Sequence, residues 1–158
     1  MGAWGYKALE CDEGLDVVGM LRDYIEHHQE SKYVPLSNIV QEMKSKGFFG
    51  ETLDDIDFFF DVSAMALAEL YIDFLDSGEF CGHKSVHPQK QLLADEDSLA
   101  FILKYLKDIK NEIPDQYGER EIIELWRESE NWLEWSSNLA YLIQRIELDI
   151  SRLQQMGG

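Results

Sequence analysis

Between Asp54 and Ser77 the chain runs without a lysine, arginine, glycine or proline, and Gly78 closes the run. Its apolar residues, among them Ile56, Phe59, Val62, Leu67, Leu70, Phe74 and Leu75, recur at three- and four-residue steps. That spacing predicts one long helix, buried over most of its circumference. At about 100° per residue, Asp57, Asp61, Glu69, Asp73 and Asp76 fall within one half of the helical wheel. Like charges four residues apart, as in Asp57/Asp61 and Glu69/Asp73, repel by a few tenths of a kcal/mol. Such a stripe is either solvated or met by cations from elsewhere. These five acids are therefore the candidate partner-binding residues.

The charge of the whole chain points the same way. It has 158 residues, with 31 acidic against 14 basic side chains and a net charge of −17. The acids outnumber the bases most steeply in the first half, and no lysine or arginine occurs from Gly47 to His83. A charge of this sign opposes binding to nucleic acid phosphates and draws basic partners. At this length one domain, residues 1–158, buries about 70% of its unfolded surface and needs no metal or disulfide to fold. Cys11 and Cys81 show no disulfide-framework spacing and read as free thiols. No apolar run is long enough for a membrane span, and no signal-peptide pattern opens the sequence, so a cytoplasmic protein is expected.

The remaining pattern is helical. Asp12 is the expected N-cap of a helix reaching Gln29, with Leu15, Val18, Leu21 and Ile25 on one face. Pro35 opens a second helix that Gly47 stops. Asp95 caps a fourth, which ends before Pro114; Glu119–Glu128 forms a fifth. From about Asn131 a final helix carries Trp132, Trp135, Leu139, Leu142, Ile146, Ile150 and Leu153 as a packing seam. No alternating run of strand length stands out. The expected fold is all-α, a single-domain bundle of about six helices around the long central one at about 54–77.

The opening Met-Gly-Ala-Trp-Gly, followed by Asp12 and Asp16, resembles the start of a bacterial family catalogued as domain of unknown function 4259, whose members begin Met-Gly-x-Trp-Gly. Gly2, Trp4, Gly5, Asp12 and Asp16 carry the match. Leu9, Glu10 and Cys11 stand where that family has Phe, Asp and usually Asn; Lys7 replaces a glycine and Gly14 an alanine. Glu121–Glu128 followed by Trp132 is similar to the family's closing helix, while Ser31–Phe60 is longer than its counterpart. The resemblance implies no activity.

Few constellations suggest chemistry. Cys81, His83 and His87, with Cys11 as a possible fourth ligand, supply the donors zinc prefers, in a spacing that matches no common zinc pattern. Glu-x-x-His pairs of the di-iron kind are absent. Glu10, Asp12, Glu13 and Asp16 offer oxygen ligands to a hard cation, but the regular calcium loop is absent, and helix capping with dipole complementation is the preferred explanation of Asp12 and Glu13. His27 and His28 point in different directions, and Trp126, Trp132 and Trp135 lie at core spacing. No phosphate loop, nucleophile elbow or Ser/His/Asp set is legible. The sequence thus favours a non-catalytic module, without cofactor, that binds a basic protein, with an immunity-type protein that neutralises such a partner as the analogy. The alternatives are a metal-assisted hydrolase on the Cys/His loop and a structural homodimer.

Overall fold

The computed structural model describes residues 5–28, 32–52, 55–78, 91–116 and 118–157. These residues form six α-helices and one very small sheet. A 3-10 turn at Ala8–Glu10 leads into α1 (Asp12–Glu26). Cys11, not Asp12, is the N-cap: its Sγ accepts the Gly14 N–H at 3.4 Å, and Asp12 and Glu13 stand in the first turn, where carboxylates suit the helix dipole. Gly14 is required by the packing of the turn onto the helix, because a Cβ there would lie 1.9 Å from the Ala8 carbonyl oxygen.

The short strands β1 (Tyr33–Pro35) and β2 (Gln91–Leu93) pair in parallel, with Val34 opposite Leu92. Three residues are too few for an alternating pattern to register in the sequence, so this sheet was not expected. Its two central residues are buried at 2% and 6% exposure and close one edge of the core. Helix α2 (Leu36–Ser45) follows Pro35, and Gly47, at a φ of 84°, ends the chain reversal behind it.

Helix α3 (Phe58–Ser77) begins four residues later than the sequence pattern suggests. Asp57 fixes the start, its carboxylate accepting the Phe59 N–H at 3.0 Å. Gly78 fixes the end, at a φ of 75° that favours glycine. Every residue from Asp61 to Ile72 is buried. Around this axis lie α1, α4 (Glu96–Lys110), α5 (Glu121–Arg127) and α6 (Trp132–Gly157), with α4 running along α6. The core contains Tyr71, Leu67 and Leu70 of α3, Tyr105 of α4 and Trp135 of α6. Phe49 plugs the end of the bundle, 5.2 Å from the rings of both Phe101 and Tyr105. Among the described residues, no helix is long and apolar enough to cross a membrane.

Candidate functional site

The five acids of α3 do not form one exposed face. Asp61 is wholly buried and receives both Nε and Nη2 of Arg120, at 2.7 and 2.8 Å; Arg120 is itself 1% exposed and also donates to the Ile113 carbonyl. Burial pushes the Asp61 carboxyl above the ordinary value, and the guanidinium pulls the other way. Glu69 is buried as well. Its carboxylate accepts the backbone N–H groups of Ala8 and Leu9, at 2.8 and 3.0 Å, and the Asn138 amide at 3.0 Å. Desolvation still raises its pKa, against those three donors.

The other three lie nearer water. Asp57 is the N-cap of α3, and Asp73 is half-buried. Asp76 is exposed and held by both terminal nitrogens of Arg145, at 2.6 and 2.9 Å, which lowers its pKa. From Asp61 to Ile72 the helix is packed on all sides and has no outer half, so the two acids in that stretch, Asp61 and Glu69, are paired inside. Of the two alternatives for the stripe, solvation or cations from elsewhere, the second describes Asp61 and Asp76, and the five acids do not make one shared surface. A third internal tie joins Tyr71 to Asp149 on α6, which Arg152 also holds, its Nε at 2.8 Å. The buried acids of α3 and α6 thus bind helices together, and their chemistry is spent within the fold.

An exposed row of acids lies on α1. Asp12, Asp16, Asp23 and Glu26 are all solvent-exposed. At about 100° per residue they fall within about 80° of one another on the outer helix face. The one basic residue of the helix, Arg22, lies at the edge of that face. Among the described residues none of the four acids has an ion-pair partner. Gly19 sits at the centre of the face, and a Cβ there would meet nothing within 4 Å. A glycine inside a helix costs about 1 kcal/mol against alanine, and no packing among the described residues requires it. The 12, 16, 23, 26 spacing was readable in the sequence, but it registers as a face only once α1 is known to turn those positions outward.

A second feature opens beside the N-terminal end of α1. The 5–8 segment, the first turn of α1, the start of α3, α5 and the start of α6 enclose a cleft of about 630 Å³. Cys11 borders it. Burial, more than the neighbouring Glu13 carboxylate, pushes its thiol up to about 11, and it donates to the Ala8 carbonyl, so it is not a poised nucleophile. Trp126 and Trp135 stack at 5.9 Å, and Trp135 also meets Trp132 at 5.6 Å. The expected core role holds for Trp135, which is 2% exposed, while Trp126 and Trp132 are only partly buried.

His27 and His28 place their Nδ1 atoms 2.7 and 2.8 Å from the Asp23 and Tyr24 carbonyl oxygens at the end of α1. Among the described residues, no group of three or more His, Cys, Asp or Glu side chains is placed to hold a metal ion. That statement covers the Glu10, Asp12, Glu13 and Asp16 cluster. The proposed metal ligands Cys81, His83 and His87 lie outside the described residues. In comparisons with known proteins, no family model, no curated protein and no solved structure matches the chain.

Proposed function

We propose that this is a cytoplasmic, non-catalytic module that binds a basic protein through the outer face of α1, in the manner of an immunity-type protein neutralising a cationic partner. The observation that carries this reading is the set Asp12, Asp16, Asp23 and Glu26, exposed on one face and without ion pairs among the described residues. A fixed row of carboxylates steers a cationic surface and sets its register more than it adds raw affinity. Gly19 in its centre lets a partner's backbone or side chain approach the helix closely. Asp12 and Asp16, two of the positions shared with the domain of unknown function 4259 family, stand on this face. Membership of that family belongs to the same proposal.

The test is salt. Exposed charges are screened over about 10 Å at 0.1 M ionic strength and about 3 Å at 1 M. A complex made on α1 therefore forms at low salt and dissociates as salt rises. A complex whose affinity is the same at both salts contradicts this reading.

A second reading, a homodimer, rests on α6. Leu133, Tyr141 and Leu148 are 74%, 45% and 59% exposed along one side of that helix. Sedimentation at rising protein concentration separates the two, since a dimer on α6 forms without any basic partner and persists in high salt.

A further inference from the structure

The cleft beside the first turn of α1 has a chemistry distinct from the α1 face. Its floor and walls are apolar, from Phe58, Val62 and Met65 on α3 to Ile122 and Trp126 on α5. Its volume of about 630 Å³ is that of a small-molecule site. The charged groups at its edge are unequal. Two carboxylates, Glu13 and Glu130, and one ammonium, Lys7, line it, and neither carboxylate has an ion-pair partner among the described residues.

An anion is a poor match. The α1 N-terminus, the usual attraction for one, is already served: Cys11 Sγ takes the Gly14 N–H, and Asp12 and Glu13 occupy the first turn. A cation gains on both counts, from the two carboxylates and from the indole rings. The tryptophan stack already shows that preference at its far end, where the Arg127 guanidinium lies 5.6 Å from the Trp132 ring. Trp126, which lines the cleft, is at the opposite end of the same stack, with Trp135 between. The geometry points to this cleft as a binding site for a small organic amine, a primary or quaternary ammonium carried on an apolar body. The strongly negative chain raises the local concentration of such a cation.

Tryptophan emission reports on the site directly, because Trp126 lines it. Phenethylamine is titrated against two molecules of the same shape, phenethyl alcohol and hydrocinnamate. The amine is expected to give a saturable change and to bind about tenfold more tightly than the alcohol, with hydrocinnamate weaker still. The Glu13→Gln/Glu130→Gln double variant keeps the shape of the cleft and is expected to lose that preference while staying folded, its melting temperature lower by no more than the few degrees that the lost first-turn charge of Glu13 accounts for. Leu125→Lys, at a rim position 55% exposed, is expected to weaken the amine alone. Equal binding of amine and alcohol, an amine affinity untouched by the double variant, or no saturable change in any titration overturns the assignment.

Discussion

Replacing Arg120 with methionine removes three hydrogen bonds at once, two to Asp61 and one to the Ile113 carbonyl, from a site where the arginine is 1% exposed and the aspartate 0%. Methionine fills most of the space, so the loss is chiefly that of leaving a buried carboxylate without its counter-charge. Breaking such a pair costs about 3–5 kcal/mol, a third or more of the stability of many domains. For a chain of this length that lowers the melting temperature by about 6–20 °C. The loss depends on pH. Without the guanidinium only raising influences remain on Asp61, burial first and then the Asp57 and Asp108 carboxylates, so its folded pKa, already above the ordinary value, rises further. The folded variant then binds the proton more tightly than the unfolded chain, and its stability rises as pH falls. Urea unfolding followed by circular dichroism should show the full deficit at pH 7 and a smaller one near pH 5. The Asp61→Val/Arg120→Met pair, apolar on both sides, should recover most of the loss. A deficit of Arg120→Met below about 1 kcal/mol, or one constant across pH, would refute the argument.

Glu69→Gln removes one of the acceptor oxygens that hold the 8–10 turn and should cost about 1.5–3 kcal/mol. Because the folded pKa of Glu69 is raised above its ordinary 4.5, the contribution of its proton is full below that value and is lost as pH rises through the folded pKa. The deficit of Glu69→Gln should therefore shrink as pH rises, read from unfolding curves of both proteins. Gly14→Ala forces a Cβ into the Ala8 carbonyl and should destabilise by about 1–3 kcal/mol, whereas Gly19→Ala should stabilise by about 0.4–1 kcal/mol in thermal melts. In a Cys81→Ser background, Cys11 should react with a disulfide reagent at pH 8 only after urea unfolding, because its thiol is buried and titrates near 11.

The helices were legible because their apolar spacing and caps are local. Asp95 with Ser98, and Gly78 behind α3, mark ends that need no knowledge of the rest of the chain. The destinations of the acids on α3 were not legible, because their partners are far away in sequence: Arg120 for Asp61, Asn138 and the Ala8 and Leu9 amides for Glu69, Arg145 for Asp76. A hint was present all the same. A helix with apolar residues nearly all round must be packed nearly all round, and its carboxylates then need internal donors. The β1–β2 pair was too short to show a period. The cleft draws its walls from the 5–8 segment, α1, α3, α5 and α6, and no one stretch of sequence contains it.

On the proposed reading, the α1 face holds a basic protein. Native mass spectrometry at low ionic strength, on protein purified gently from its own host, tests it by comparing the wild type with the Asp12→Asn/Asp16→Asn/Asp23→Asn/Glu26→Gln variant. The wild type should carry the added mass of a basic polypeptide that the variant lacks, while both remain equally folded. The same adduct on both proteins, or none on either, would rule out α1 as the binding face.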